Sequence, residues 1–375
     1  MEMTQPEPLK CFFLEHGYNN LNSSACCELT NSFPSAVNFA SLHNNKSFVE
    51  IKQSMDAGIW HSACERCRMT EASPNTQAQS KRQGSLKKYT FSNYNKNAGL
   101  IDLQLAPGYL CNLQCRTCNP YLSSSWVKED IELPGALSRT PRDSFSIPIK
   151  VNRQSMLDYN TSWTGVKYVN FVGGEPLYNP EFYTALAKLL ADTDGDCELA
   201  LTTNGTVLLD LDKYQLLSNF KRVYLTVSID SIGASAEFIR TGVTWSKVVK
   251  NIEFYKSSQM FSNAINFHLT NSVLNMFETH PALEWLESME IPNCGLTTHI
   301  SDPQYLTYNI LTDLEKQVLV KRLTGTKADY IASVLPSYQH SPADRSNFFQ
   351  FMEHTKNYHG QDWKDYLPEL YSLMN

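Results

Sequence analysis

The chain has no uninterrupted apolar stretch near the roughly 20 residues that a membrane-crossing helix needs, which excludes a bilayer span. Residues 1–10 lack the basic-then-apolar order of a secretion leader, so the expected address is cytoplasmic. Charge is scarce as well: Asp, Glu, Lys and Arg make up 19% of the residues, and 32 basic against 38 acidic side chains leave a formal charge of −6. That balance argues against a nucleic-acid footprint spread over the whole molecule. Lys81, Arg82, Lys87 and Lys88 form one local basic cluster, which a solvated linker explains more simply than a polyanion site. No fixed-period repeat or low-complexity tract is present, which removes solenoids. The nine histidines include no H-E-x-x-H or similar pair, so a histidine-based hydrolytic zinc site has no support.

With 42% hydrophobic residues over 375 positions, the chain has ample material for a globular core. It also has ten cysteines, and without an export signal clustered thiols point to metal more often than to disulfides. Cys111, Cys115 and Cys118 form C-x3-C-x2-C, Cys64 and Cys67 form C-x2-C, and Cys26 and Cys27 are adjacent. Cys11, Cys197 and Cys294 stand apart, and the last two read as small buried hydrophobes.

The pattern divides the chain into three parts: a loop-rich lobe over 1–98, an α/β unit over 99–305, and a helical extension over 306–375. In the lobe, Ser47 to Glu50 reads as a capping box for a helix whose Phe48, Ile51 and Met55 share a face and which Gly58 stops. Residues 77–97 are polar and read as a connector or exposed loop. In the α/β unit six strands are expected, at 101–106, 166–172, 198–202, 222–229, 265–269 and 296–300, joined by crossover helices. One such helix starts at Asn179 and Pro180 with Phe182, Leu186 and Leu189 on one face; another carries Trp245, Val248, Val249, Ile252 and Tyr255. Residues 131–164, broken by prolines, read as an irregular insertion. In the extension, Thr312 to Glu315 is a second capping box, with Leu314, Val318 and Leu323 expected to face inward.

Three thiolates within eight residues, directly after the first strand, can converge on one inorganic centre. Three is one fewer than a closed zinc site or an ordinary cubane cluster takes, so the set implies an open coordination position and a reactive centre. Buried thiols, or a zinc knuckle completed from a distance, are the plainer alternatives. The neighbouring strands weigh against them. The second runs into Gly173, Gly174, Glu175 and Pro176, the third into Thr203, Asn204 and Gly205, and the fourth carries Ser228 and ends at Asp230. In a parallel α/β sheet the carboxyl ends of the strands form one rim, where ligands bind.

The run Cys111-Asn-Leu-Gln-Cys115-Arg-Thr-Cys118, followed by Phe171-Val-Gly-Gly-Glu-Pro, resembles the radical S-adenosylmethionine enzymes. The resemblance implies an α/β fold, a partial (β/α)6 barrel, in which Cys111, Cys115 and Cys118 hold three irons of a [4Fe–4S] cluster. The amino and carboxylate groups of S-adenosylmethionine would chelate the fourth. By the same resemblance, Gly173, Gly174 and Glu175 contact the methionine amino group, Ser228 and Asp230 lie near the ribose, and Asn204 is a further cofactor-binding position. Thr117 stands where the family often has an aromatic residue, so no adenine contact carries over there.

The lobe is similar to the twitch-domain subgroup of that superfamily, in the form that places auxiliary cysteines before the barrel. Cys11, Gly17, the Cys26-Cys27 pair, Trp60, Cys64-x2-Cys67 and Glu71 carry this likeness, as does the ending Asp362-Trp363 to Pro368-Glu369-Leu370. The implied ligand set is Cys11, Cys26, Cys64 and Cys67, with Cys27 as the alternative to Cys26, closing an auxiliary [4Fe–4S] cluster or a zinc site. The implied activity is reductive cleavage of S-adenosylmethionine to a 5′-deoxyadenosyl radical, which abstracts hydrogen from a peptide or protein side chain. A one-electron donor such as flavodoxin or ferredoxin is implied with it. Radical modification of a nucleotide or RNA, and a non-catalytic zinc- or cluster-stabilised binding protein, are the competing readings.

Overall fold

A computed structural model describes residues 8–19, 24–26, 28–29, 38–72, 80–88, 99–139, 162–261, 264–291 and 293–375. Its strands are β1 (Gly17–Asn19), β2 (Asp102–Leu105), β3 (Gln114–Cys115), β4 (Tyr168–Phe171), β5 (Glu198–Thr203), β6 (Arg222–Ser228), β7 (Arg240–Thr241), β8 (Ile265–Asn271) and β9 (Asn293–His299). Seven of them form one sheet in the order β1-β2-β4-β5-β6-β8-β9, and each neighbouring pair is parallel. The sheet curls into an open half-barrel. The six strands expected from the sequence are β2, β4, β5, β6, β8 and β9. The seventh, β1, comes from the N-terminal lobe and pairs with β2 along the edge, so the lobe and the α/β unit share the sheet.

Register sorts the side chains into rows. Leu103, Val169, Leu199 and Val223 are aligned, as are Leu105, Phe171, Leu201, Leu225 and Ile265, and all of them are buried. These rows pack with Phe182, Leu186 and Leu189 of the helix Pro180–Thr193 and with Val248, Ile252 and Tyr255 of Trp245–Ser257. Because successive strand residues point to opposite faces, the intervening rows lie on the other face, and they are polar. They read Asp102-Tyr168-Glu198-Arg222, Gln104-Asn170-Ala200-Tyr224, Thr202-Thr226-Asn266 and Ser228-His268. One face of the half-barrel is therefore core, and the other presents mostly polar side chains.

Several local expectations are corrected. The lobe's first long helix, Lys46–Asp56, is capped by Asn45 rather than Ser47, with Asn45 Oδ1 accepting from the Phe48 N–H at 3.3 Å. Within 77–97, residues Lys81–Lys88 are a helix, not a connector. Arg82 is no solvated charge either: its Nε donates to Glu71 at 3.0 Å, Nη1 donates to the Lys10 carbonyl at 3.0 Å, and its guanidinium lies 5.3 Å from the Trp60 ring centroid. Those partners are remote in sequence, which is why composition alone misjudges the cluster. Of the insertion expected at 131–164, residues 140–161 lie outside the described residues; residues 127–132 are helical, and Leu133 and Leu137 are buried.

The extension has a core of its own, which Trp126, Leu133, Leu137 and Phe238 join from the α/β unit. Its helix Asp313–Leu323 begins at the expected capping box, but the inward face is turned by one residue. Leu314 and Val318 are 71% and 46% exposed, while Glu315, Leu319 and Leu323 are buried. Glu315 turns inward because Arg345, on the helix Pro342–His359, donates to both its oxygens at 2.8 Å.

Candidate active site

The cysteine loop leaves β2 at the carboxyl end of the sheet and is held by hydrogen bonds on every side. The Cys111 N–H donates to Ser124 Oγ at 3.2 Å, Ser125 Oγ donates to the Cys111 carbonyl at 2.8 Å, and Ser123 Oγ donates to the Leu113 carbonyl at 2.9 Å. Trp126 Nε1 donates to the Cys115 carbonyl at 2.8 Å. Across the loop, β3 pairs antiparallel with β7, setting Cys115 opposite Arg240, and the Arg116 N–H donates to the Ile239 carbonyl at 2.8 Å. This Ser123-Ser124-Ser125-Trp126 wrap was not expected. Its only sequence signal is a serine run and a tryptophan that begin five residues after the third cysteine.

Gly173 and Gly174 act first on this loop. Both have left-handed backbones, at φ 82° and 55°, and a Cβ on Gly174 would lie 2.5 Å from the Leu110 carbonyl oxygen. The Gly174 N–H donates to the Leu122 carbonyl and the Glu175 N–H to the Leu110 carbonyl, both at 3.0 Å. The end of β4 therefore fastens the thiol loop to the sheet.

Glu175 is fully buried and clamps β4 to β5: it accepts from the Leu177 N–H at 3.1 Å, Thr203 Oγ1 at 2.8 Å and the Asn204 N–H at 2.6 Å. Burial pushes its carboxyl up to about 7, against the pull of those donors and of Arg240. Asn204 Nδ2 donates at 2.9 Å to Oδ1 of Asn112, which lies inside the cysteine loop, and Asn112 Nδ2 donates to Thr206 Oγ1 at 2.8 Å. Ser228 ends β6 opposite His268, and Asp230 just beyond it is buried, accepting from the Thr270 N–H at 3.0 Å.

Arg240 is the residue the sequence reading missed. Its guanidinium is buried with Nε 2.9 Å from Asp230 Oδ2, an ion pair whose atoms are not aligned as a hydrogen bond. It also acts on the thiols. Burial pushes the Cys115 thiol well up, Arg240 opposes that shift, and Cys118 and Cys111 reinforce it. Burial likewise raises Cys118, to about 11, and Cys111, with Arg240 opposing both. Three buried thiols beside one buried cation form a site suited to a metal–sulfur centre, whose metal ions would neutralise the thiolates.

The lobe makes a second thiol site. Cys11, Cys26, Cys64 and Cys67 line one small cavity with Trp60 and Arg82. Burial pushes Cys11 up to about 11 and Cys64 up to about 12, Cys67 raises both, and Arg82 opposes. Cys27 lies outside the described residues. Among the described residues, no group of three or more His, Cys, Asp or Glu side chains is drawn to metal-coordinating spacing, so at both sites the thiols gather without closing on a point. Cys197 is fully buried, 3.6 Å from Thr193 Oγ1, as a structural thiol should be; the Cys294 side chain lies outside the described residues.

The fold and site together define a parallel α/β half-barrel with a three-cysteine loop stapled across the carboxyl ends of its strands. Residues 105–276 match the Radical SAM superfamily. Among curated proteins it is similar to "GTP 3′,8-cyclase 3" of Mycobacterium bovis, 24% identical over 257 residues, covering 65% of this chain and 60% of that protein. The "GTP 3′,8-cyclase" of Aliarcobacter butzleri is 30% identical over 144 residues, 38% of this chain and 39% of that protein. The chain thus spans less than two thirds of these relatives. Among solved structures, "Native anSMEcpe with bound AdoMet" aligns with a TM-score of 0.40 at 19% identity, over 64% of this chain and 63% of that one. Streptococcus suis SuiB bound to precursor peptide SuiA aligns with a TM-score of 0.37 at 15% identity, over 76% of this chain and 59% of that one.

Proposed function

We propose that this chain is a radical S-adenosylmethionine enzyme acting on a peptide or protein side chain. The observation that carries the reading is the gathering of Cys111, Cys115 and Cys118 beside Arg240, on a loop fastened by Gly174 and Glu175. These residues fit a [4Fe–4S] cluster with one corner left to S-adenosylmethionine. When bound, that pair supplies one-electron cleavage of the sulfonium and a 5′-deoxyadenosyl radical, using an electron from a donor such as flavodoxin or ferredoxin. The chain's own part is to position and exclude. Gly173 and Gly174 hold their backbone close to the thiol loop, and Arg240 supplies the positive charge that a carboxylate group would meet. Ser228 and Asp230 lie at the rim for hydroxyl groups. Cys11, Cys26, Cys64 and Cys67 suit an auxiliary cluster or zinc ion in a twitch-like lobe. The proposed units run 1–98, 99–305 and 306–375.

Modification of a nucleotide is a second reading, favoured by the names of the cyclases that share sequence with this chain. The deciding experiment for the class is anaerobic reconstitution, then reduction in the presence of S-adenosylmethionine, reading iron content, the EPR spectrum and released 5′-deoxyadenosine. Replacing Cys111, Cys115 and Cys118 together with alanine should leave only an auxiliary signal and no cleavage. Cleavage retained by that triple variant, or tightly held zinc without any cluster signal in the parent, would overturn the reading.

A further inference from the structure

Arg116 stands between two of the three gathered thiols, Cys115 and Cys118, and its side chain is fully buried. Its Nη1 donates to Thr355 Oγ1 at 3.1 Å and its Nη2 donates to Gln361 Oε1 at 2.6 Å, so the C-terminal extension holds both tips of the fork. The guanidinium lies 4.3 Å from the Phe238 ring centroid, and Nε, also buried, has no partner. Every one of these contacts is with an uncharged group. Arg240 differs, because Asp230 at 2.9 Å offsets its charge.

Glu129 is the carboxylate that acts on Arg116, but its oxygens are taken. Gln114 donates to it, and His354 Nε2 and His359 Nε2 lie 3.1 Å and 2.9 Å from Oε1 and Oε2. Burial pulls the Arg116 guanidinium down to about 9, Glu129 and the Cys115 thiol oppose that shift, and Arg139 reinforces it, so the group stays charged at neutral pH. A buried cation without a counter-ion is costly, and the loop it belongs to offers the missing negative charge. Three thiolates around a [4Fe–4S] core leave that centre net negative, and a further electron makes it more so.

We infer that Arg116 is a positioning residue through which the extension raises the reduction potential of a cluster held by Cys111, Cys115 and Cys118. The inference rests on the radical-enzyme proposal for the cluster itself and goes beyond it in giving the extension a part in the redox step. The sign follows from charge alone. One electron from the flavodoxin- or ferredoxin-type donor adds one negative charge beside a fixed cation and breaks no bond, so Arg116 favours the reduced form. Thr355, Gln361 and Phe238 keep the guanidinium from turning away to water.

The test uses the full chain, reconstituted anaerobically and titrated with dithionite, while EPR follows the signal that changes when S-adenosylmethionine is added. Gln361→Glu sets a carboxylate against Nη2 and leaves Arg116 in place. Its potential should be more negative than that of the parent, and by more than in Gln350→Glu, which makes the same charge change at an exposed position on the helix Pro342–His359. Arg116→Met should lower the potential as well, and Arg116→Lys, which keeps the charge, should return it toward that of the parent. If Arg116→Met fails to fold or to hold iron, Gln361→Glu against Gln350→Glu decides the matter. A potential in Gln361→Glu no lower than in Gln350→Glu, a parent-like potential in Arg116→Met, or an Arg116→Lys variant as low as Arg116→Met would overturn the inference. Iron content and release of 5′-deoxyadenosine from the same samples separate the two claims. A parent without a cluster that responds to S-adenosylmethionine sinks both, whereas a parent that cleaves it, with a potential these variants do not move, sinks only this inference.

Discussion

Replacing Gly174 with alanine tests whether the end of β4 is the device that holds the thiol loop. The new Cβ would stand 2.5 Å from the Leu110 carbonyl oxygen and 2.8 Å from the Tyr109 carbonyl carbon, both backbone atoms that cannot swing aside. Reaching the 3.4 Å of ordinary contact requires Leu110 to retreat by about 0.9 Å. That movement stretches the 3.0 Å hydrogen bonds from Glu175 N–H to Leu110 and from Gly174 N–H to Leu122, and it displaces the residue before Cys111. The left-handed backbone, at φ 55°, costs an alanine about 1 kcal/mol. Two weakened hydrogen bonds add about 1–2 kcal/mol, for a total of about 2–3 kcal/mol. Gly360→Ala is the control: its φ is 68°, but nothing lies within 4 Å of its Cβ, so only the backbone cost of about 1 kcal/mol applies. Denaturant unfolding of both variants gives the stability difference, and iron content after anaerobic reconstitution shows whether the loop still gathers its thiols. Gly174→Ala should lose more stability than Gly360→Ala and hold less iron. Equal destabilisation of the two, with full iron in Gly174→Ala, would refute the argument.

Three further outcomes are expected. His43 packs 4.1 Å from the Phe39 ring centroid and 5.3 Å from that of Phe48, and burial first, then Lys52, pushes its imidazole down to about 4. Protonation therefore favours the unfolded chain: stability falls as pH drops below 6.5 and stops falling below about 4. His43→Leu should remove about 1–2 kcal/mol of the loss between pH 7 and pH 5 in denaturant melts, and an identical pH response in both proteins would contradict this. Glu129 is fully buried, with His354 Nε2 at 3.1 Å from Oε1, His359 Nε2 at 2.9 Å from Oε2, and Gln114 donating to it. Glu129→Ala should cost about 2–4 kcal/mol by leaving those partners without an acceptor, and a change under about 1 kcal/mol in the same melts would show the network to be dispensable. Arg240→Met leaves buried Asp230 without its 2.9 Å partner and should cost about 3–5 kcal/mol; adding Asp230→Leu should recover part of that loss, and a double variant weaker than the single would rule the pair out as its cause.

Some of this was legible in the amino-acid order because it is local. C-x3-C-x2-C after a strand, Gly-Gly-Glu-Pro after the next, and period-two or period-3.6 apolar spacing involve neighbours within a few residues, and such patterns survive without tertiary knowledge. All six strands of the α/β unit, the helix start at Asn179 and Pro180, and the box at Thr312 and Glu315 are of that kind. The cluster at Lys81 to Lys88 was misjudged because Arg82 is defined by Glu71 and Trp60, and Leu314 was misplaced because Arg345 draws Glu315 inward.

What only the tertiary structure decided is how distant polar groups meet. Arg240 reaches the cysteines because β7 pairs with β3 across more than a hundred residues, an antiparallel ladder too short to leave a sequence pattern. The lobe's thiols share a cavity only because Cys11, Cys26, Cys64 and Cys67, spread over more than fifty residues, are folded together, and the polar rows exist only where strand register lines Asp102 up with Tyr168 and Glu198. Spacing along a chain fixes which atoms can converge within a loop. Convergence between loops depends on the sheet that carries them, because burial and electrostatics act through space and not along the backbone.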